Sequence, residues 1–419
     1  MTEPIRVLHF ADVHIGMENY GKTDPKTGLS SRVVDFVRRL DDMVDYAREQ
    51  AVDLVIFAGD AFKTRSPNPT YQREFAWRVR DLAELAPVVL LVGNHDLPPN
   101  ALRASSVEIY DTLAVDNVWV AQDYDVNLIE TARGKVIVGA APYPIRARLM
   151  HHAERPTNSI KEADALLEET LSDILDDLAQ RADALAGNTA IPRLLTGHFT
   201  VNGAVVGSER QVMLGRDVKI PLSLIADDRW DYVALGHIHK HQNLTSGRDD
   251  VPPVVYSGSL ERIDFGEQAE DKGFCWVELA REATTWTFVP VAARAMVTLR
   301  ADCSEDTNPT RTVLDLIAGH HLQGAIVRLI IELTPETNAL LQDEPLRDAL
   351  KQADAFHIAA IQRRVHRSDR ARLDHNPEEM DHEQLLAQYL KTRAIAPARR
   401  EQLLTAAKAI FNPSEADEA

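Results

Sequence analysis

The sequence predicts an α/β fold, and three observations carry that prediction. Short apolar runs alternate with longer segments whose apolar residues recur every three or four positions. The short runs are near-continuous in Val, Ile, Leu and Phe, as expected of strands covered on both faces. Several of them stop at a Gly or Asp followed by polar, metal-binding side chains, which is where open α/β sheets build their sites.

Taken in order, residues 5–10 are the first strand, ending at Ala11-Asp12. Residues 30–50 form a helix with Val33, Val37, Leu40, Val44 and Ala47 on its apolar stripe. Residues 52–57 are a strand ending at Gly59-Asp60, and 69–85 a helix. Residues 88–92 are a strand ending at Gly93-Asn94-His95-Asp96. A helix over 104–113 and strands over 118–121 and 136–140 follow. Residues 159–186 are a long amphipathic helix with an acidic outer face. Strands 193–195 and 232–235 end at Gly197-His198 and Gly236-His237-Ile238-His239. Further strands are expected over 254–257, 274–279 and 285–291.

Beyond a composition change near 290–294 the order becomes strand 295–299, helix 309–318, strand 325–333, helix 345–352, strand 356–363. That is a small second domain. Residues 367–377 are polar and charged and read as a linker, and 381–411 as a helical tail. The tail carries two apolar stripes, broken at Ala394-Ile395-Ala396-Pro397, because Pro disfavours helix at the residue before it. The expected domains are therefore 1–290, 291–370 and 371–419.

A chain of 419 residues is too long for one ordinary core, and 45% hydrophobic with 26% charged residues is a soluble globular balance. No stretch has the length of a membrane span, and the start lacks the basic-then-apolar pattern of a secretory signal. Cys275 and Cys303 are far apart without CxxC spacing, so neither a disulfide framework nor a cysteine metal site is expected. A reducing cytoplasm fits that usage. The net charge of −18 argues against coating nucleic acid through a bulk field. Bound cations can still supply positive charge where a phosphate must sit, so weak DNA affinity is expected of this chain alone.

Five short motifs lie at strand ends: Asp12-Val13-His14, Gly59-Asp60, Gly93-Asn94-His95-Asp96, Gly197-His198 and Gly236-His237-Ile238-His239. Residues two apart in extended chain point the same way, so Asp12 with His14, and His237 with His239, are expected to ligate together. Carboxylate, imidazole and amide together suit Mn²⁺, Fe²⁺ or Zn²⁺ better than Ca²⁺. Asp12, His14, Asp60, Asn94, His198, His237 and His239 are too many ligands for one ion and enough for two, with Asp60 the choice for a bridge. A lone DxH or GD is common by chance, and GNHD also suits a polar turn; the information lies in the ordered set. His151-His152 and His320-His321 lack partners at metal spacing and are expected on the surface. The Arg363-to-Arg367 charge run reads as a solvated face. No Gly-rich phosphate loop followed by Lys-Ser or Lys-Thr occurs, so any ATP dependence belongs to another chain.

The ordered set resembles the signature of the calcineurin-like metallophosphoesterases, DxH, GD, GNH[DE], GH and GHxH, across residues 5–290. More narrowly the chain is similar to the SbcD family, nuclease subunits of a bacterial double-strand-break repair complex. Leu8-His9-Phe10-Ala11-Asp12-Val13-His14-Ile15-Gly16 and Ala58-Gly59-Asp60-Ala61-Phe62 carry that similarity. So does Tyr256-Ser257-Gly258-Ser259-Leu260-Glu261-Arg262-Ile263-Asp264-Phe265-Gly266, followed by Lys272-Gly273-Phe274. Val13 departs from the common Trp, and Lys63 stands where some relatives have the His expected to orient the catalytic histidine, for which Asp96 is the substitute.

The resemblance implies a four-layer α/β sandwich with a small α+β capping domain and a helical C-terminal tail. It implies one metal on Asp12, His14, Asp60 and His239, and another on Asp60, Asn94, His198 and His237. His95 would be catalytic rather than a ligand, assisted by Asp96. The cofactors would be two divalent ions, Mn²⁺ first, with Mg²⁺, Fe²⁺ or Zn²⁺ as alternatives. The implied activity is double-strand exonuclease and single-strand or hairpin endonuclease on DNA. The implied assembly is a cytoplasmic, nucleoid-associated homodimer whose tail holds an SbcC-like SMC-family ATPase, with no membrane partner. The rivals are a phosphodiesterase or phosphatase of the same fold on a non-DNA substrate, and a non-catalytic DNA-end-binding scaffold.

Overall fold

Side-chain alternation along the strands decides how the layers stack. The computed structural model describes residues 3–98, 103–153, 160–207, 218–366, 381–391, 395 and 397–411. The first strands are β1 Ile5–Phe10, β2 Leu54–Phe57, β3 Val88–Leu91, β4 Val118–Ala121, β5 Asp125–Thr131 and β6 Gly134–Ala141. Then come β7 Arg193–His198, β8 Thr200–Val201, β9 Lys219–Ile220, β10 Tyr232–Gly236, β11 Gln242–Asn243 and β12 Val254–Tyr256. Strands β13 Gly273–Leu279, β14 Thr285–Pro290, β15 Met296–Asp302, β16 Ile326–Leu333 and β17 His357–Val365 complete the set. The helices are α1 Ser31–Glu49, α2 Pro69–Ala83, α3 Ile109–Thr112, α4 Arg146–Ala153 and α5 Ile160–Ala186. They continue as α6 Pro309–Ala318, α7 Pro335–Leu340, α8 Asp343–Gln352, α9 His382–Lys391 and α10 Pro397–Phe411.

The chain divides into two compact units, the first made of Met1–Thr298, Leu322–Arg328 and Asp354–Ala359. It contains two six-stranded sheets, ordered β14-β13-β1-β2-β3-β4 and β11-β12-β10-β7-β6-β5. The first is antiparallel along β14-β13-β1 and parallel from β1 through β4, and the second is parallel in the middle and antiparallel at both edges. Leu8, Phe10, Val55, Phe57, Val88 and Leu90 pack with Val33 and Leu40 of α1 and with Phe75 and Leu82 of α2. Their neighbours Val7, Ile56 and Val89 point the other way and meet Val138, Leu194 and Ala234 of the second sheet. The far face of that sheet, through Ile137, Leu195 and Leu235, packs on Leu167, Leu171, Leu175 and Leu178 of α5. The result is the expected four-layer sandwich: helices, sheet, sheet, helix. Local chemistry starts the helices where the sequence asks. The Ser30 side chain accepts from the Arg32 amide, and Asn68 does the same for Thr70, with Pro69 in the first turn of α2.

Two differences from expectation have tertiary causes. The helix expected over 104–113 shrinks to α3, because Ser106 donates its amide to the Asp96 carbonyl (2.9 Å) and its hydroxyl to the Asp96 carboxylate (3.1 Å). That pairing draws the preceding chain away from a helical path. Strand β5 was not expected: Val126 is its one buried residue, so its sequence lacks a clean alternation, and antiparallel pairing along β6 defines it.

The second unit is Leu299–His321, Leu329–Ala353 and Ala360–Ala419. Helices α6, α7 and α8 accompany a three-stranded sheet ordered β15-β16-β17. Val313, Ile317, Leu346 and Leu350 are buried there, while His320 and His321 are exposed. In the tail α9 packs on α10, with the His382 and Phe411 rings 5.7 Å apart. Pro397 begins α10, at the end of the expected break. The linker expected over 367–377 lies outside the described residues, as do the side chains of His151 and His152.

Candidate metal centre

The carboxyl ends of five strands converge, and they come from both sheets: β1, β2 and β3 from one, β7 and β10 from the other. The chain leaves three of these ends in an unusual conformation. Asp12 (φ 53°), His14 (φ 48°), Asp60 (φ 65°) and His237 (φ 90°) are left-handed, a state costing about 1–3 kcal/mol per non-glycine residue. Asp12 and His14 are therefore not aligned by extended chain, as the spacing suggested. Each is turned by its own backbone and then locked. The Asp12 amide donates to Gly59 O (3.0 Å), and the His14 amide to Asp60 O (3.1 Å). The His237 amide donates to both Asp12 carboxylate oxygens, each at 3.0 Å.

Glycine is required where these turns touch. A Cβ on Gly93 would lie 2.2 Å from Asp60 Oδ1, and one on Gly59 (φ 98°) would lie 2.4 Å from His198 Nδ1.

Asp12, His14, Asp60, His198, His237 and His239 are all buried, and Asn94 and His95 half-buried. Their donor atoms face one another. His14 Nε2 is 3.0 Å from His239 Nε2 and 3.7 Å from Asp60 Oδ2. His198 Nε2 is 3.4 Å from Asp60 Oδ2 and 3.0 Å from Asn94 Oδ1, and His237 Nδ1 is 2.9 Å from the same Asn94 oxygen. Ligand atoms of Asp12, His14 and His239 fall within 4.8 Å of one another, as do those of Asp12, Asp60 and His198. A third group, His14, Asp60 and His95, meets the same limit.

The other ring nitrogens are held from behind. His198 Nδ1 donates to Ala58 O (2.7 Å), His95 Nδ1 to Lys63 O (2.8 Å), and His239 Nδ1 lies 2.9 Å from Glu267 Oε1. In a neutral ring such a partner places the proton on Nδ1 and leaves the Nε2 lone pair facing the site. Two lone pairs 3.0 Å apart, on His14 and His239, repel unless a cation or a proton lies between them. The donor set therefore fits divalent metal.

Burial disfavours every charge here, and the neighbours decide which survive. Burial would lower His198, but the adjacent Asp60 carboxylate outweighs it and pushes the pKa up to about 9. Burial would raise Asp60, yet His198, His95 and His14 hold it well below the usual carboxylate range. Burial, joined by the neighbouring His239, His95 and His198, drives His14 well below an ordinary imidazole, and burial with the Asp60 charge raises Asp12.

Asp96 does not do what the sequence suggested. Its carboxylate accepts from the amides of Asp60 (2.8 Å), Ala61 (3.0 Å) and Gly93 (3.0 Å) and from the Ser106 hydroxyl (3.1 Å). It pins the β2 and β3 turns together, and burial with the nearby Asp60 charge pushes its pKa up to about 6. The group on His95 is the Lys63 carbonyl. A carbonyl belongs to every residue, so no side-chain motif reveals it. Sequence reasoning also missed Tyr143, whose ring lies 5.7 Å from that of His237 and 6.3 Å from that of His198. Glu267 was missed too, although it lies in the 256–274 stretch that carries the narrower resemblance.

The sequence profile of the calcineurin-like phosphoesterases matches residues 5–241, a span holding all five strand-end motifs. The chain belongs to this family. As a calcineurin-like phosphoesterase it is a hydrolase of phosphate esters, and the family implies divalent metal ions, which the Asp/His cluster suits. Three curated relatives are named as SbcD, a subunit of the nuclease SbcCD. The one from Rhodobacter capsulatus is 26% identical over 82% of this chain and 86% of its own length. The Bacillus subtilis protein is 26% identical over 67% and 68%, and that of Escherichia coli K12 is 30% identical over 64% and 63%.

Proposed function

We propose that this phosphoesterase is a metal-dependent DNA nuclease, cutting duplex ends as an exonuclease and single strands or hairpins as an endonuclease. The observation that carries the reading is the convergence of Asp12, His14, Asp60, Asn94, His198, His237 and His239 beside a histidine held from behind. The similarity to proteins named as nuclease subunits supports DNA as the substrate.

Asp12, His14, Asp60 and His239 would hold one ion, and Asp60, Asn94, His198 and His237 a second, with Mn²⁺ the first choice. Bound there, a metal pair neutralises phosphate charge and activates water for in-line displacement. The chain's own residues do the rest. The Ala58 carbonyl sets the His198 tautomer. The His95 ring, anchored through Nδ1 on Lys63 O, leaves Nε2 for the substrate. In its doubly protonated form it gives that proton to the leaving oxygen. Asp96 acts on this chemistry indirectly, by fixing the turn that carries Asn94 and His95.

We infer further that the α9–α10 tail docks an SbcC-like SMC-family ATPase and that the chain works as a cytoplasmic, nucleoid-associated homodimer. Among the described residues no helix is long and apolar enough to cross a membrane.

The test is digestion of linear duplex and hairpin DNA with and without Mn²⁺, by the chain alone and with the ATPase. Mn²⁺-dependent cutting of both substrates is expected. Hydrolysis of bis-p-nitrophenyl phosphate with no cutting of DNA would assign the site to another phosphodiester. A metal-loaded protein inert on both would be a scaffold.

A further inference from the structure

The stretch 256–274 carries two buried carboxylates for which the hydrolysis itself has no use. Glu261 holds the chain together: it accepts from the Arg294 amide (3.0 Å) and the Arg262 amide (2.9 Å) and lies 3.6 Å from the buried Arg32 guanidinium. Glu267 is placed differently. It ends the short helical turn Phe265–Glu267, whose first turn is capped by Asp264 onto Gly266 N (2.6 Å). Its side chain is fully buried, with Oε1 2.9 Å from His239 Nδ1. Its Oε2 accepts from Ile263 N (2.9 Å) and lies 3.0 Å from Lys272 Nζ.

Lys272 is 2% exposed, and its ammonium also donates to Glu270 Oε2 (2.9 Å) and to the His239 carbonyl (3.1 Å). One cation therefore grips His239 twice, directly at its carbonyl and through Glu267 at its ring. Taking such a pair out of water is costly, and apolar residues of similar volume often stabilise a fold as well or better. A pair built only for stability is hard to justify on those terms. Aimed at a ring nitrogen, it has a use that an apolar pair lacks. A carboxylate at Nδ1 accepts a hydrogen bond from the Nδ1–H, fixes the tautomer, and turns the lone pair to Nε2. That is the atom 3.0 Å from His14 Nε2 at the candidate metal centre.

We propose that Glu267 is the positioning residue of His239, and that Lys272 holds Glu267 in place. This rests on the reading of His239 as a metal ligand. It gives the Tyr256-to-Phe274 stretch a task at the metal centre, although none of its residues belongs to the ligand set.

Calorimetric titration of the full-length, metal-stripped chain with Mn²⁺ tests it. Wild type should bind two ions. Glu267→Gln keeps the size and loses the charge, and should weaken one ion about 10–100-fold while the other is unchanged. Lys272→Met should weaken the same ion. Melting temperatures in EDTA separate this from general damage, which lowers melting without a selective loss of one ion. Nitrogen-15 histidine spectra of wild type with Zn²⁺ give a second readout that needs no variant. They should show His239 protonated at Nδ1 and bound through Nε2. A folded Glu267→Gln protein that binds both ions as tightly as wild type would overturn the proposal, and so would a His239 bound through Nδ1. A wild-type chain that binds no ion at all would instead overturn the metal reading beneath it.

Discussion

Asp60 and His95 sit side by side yet carry separable tasks. The Asp60 carboxylate faces His14 (3.7 Å) and His198 (3.4 Å), one from each proposed ligand set, while its Oδ1 accepts the His95 amide at 2.8 Å. Asp60→Ala should therefore lose both ions while the metal-free chain still folds, because the Asp96 clamp uses Asp60's amide and not its side chain. Elemental analysis checks this, and two retained ions would remove Asp60 as the bridge. His95→Ala should keep both ions and lose about 10²–10⁴-fold in turnover, the usual range for a general acid. His95 also approaches His14 and Asp60 within ligand distance, so a fall in metal content would make it a ligand instead. The His198–Asp60 pair gives a pH signature. A folded pKa near 9, against 6.5 for a free imidazole, means the pair's stability is complete below pH 6.5 and is lost as pH rises through 9. A cation must displace that proton, so its binding strengthens over the same interval. The rise in melting temperature on adding Mn²⁺ over EDTA should accordingly grow from pH 6.5 to 9 and then level off. A gap that shrinks over this range would contradict the assignment.

At the scale of elements, the site depends on how tightly strand ends touch. Left-handed Asp12, His14, Asp60 and His237 store backbone strain that hydrogen bonds between neighbouring turns hold in place. Gly93 lets the β3 turn lie against Asp60. In Gly93→Ala the new methyl would meet Asp60 Oδ1 at 2.2 Å and the Asp60 amide at 2.6 Å, and backbone cannot yield as a flexible side chain can. The expected result is about 1–3 kcal/mol of lost stability, as for other overpacked sites, with reduced metal content. Urea denaturation in EDTA and elemental analysis check the two halves. Unchanged values for both would show that the turn relaxes freely.

On the scale of the whole molecule, assembly is the open dimension. A homodimer needs an apolar face outside the core, and the α2 and α3 region is the candidate. Phe75, Val79, Leu82, Val107 and Tyr110 pack into their own core, which leaves Trp77, Ile109 and Leu113 exposed at 44%, 50% and 67%. Exposed residues of this kind suit a two-fold contact. Light scattering should report twice the 46.7 kDa chain mass, and Trp77→Glu should return the monomer. In the tail, Leu390 is buried while Tyr389 and Phe411 stay 52% and 40% exposed, so the two helices do not consume their own apolar surface. Such a face suits a helix-in-groove partner. Deleting residues from 381 onward should leave Mn²⁺-dependent cutting intact and abolish co-purification with the ATPase; retention at full strength would place the docking site elsewhere.

The sequence by itself determined the class of chemistry and the layering. Ligand identity is a property of residue type, and a strand end is marked locally by an apolar run that stops, so Asp12, Asp60, Asn94, His198 and His237 could be named before any fold was known. The near-continuous apolar strands likewise announced sheets covered on both faces, and the structure then showed which residues face the helices and which the opposite sheet. Only the tertiary structure decided that two sheets share the site, that Asp96 clamps turns, and that Lys63, Ala58 and Glu267 stand behind His95, His198 and His239. The reason is physical. Two of those three partners are backbone carbonyls, which carry no residue signature, and Ala58 is 140 residues from the ring it holds. Contacts made across such distances follow from packing, and no local pattern encodes them.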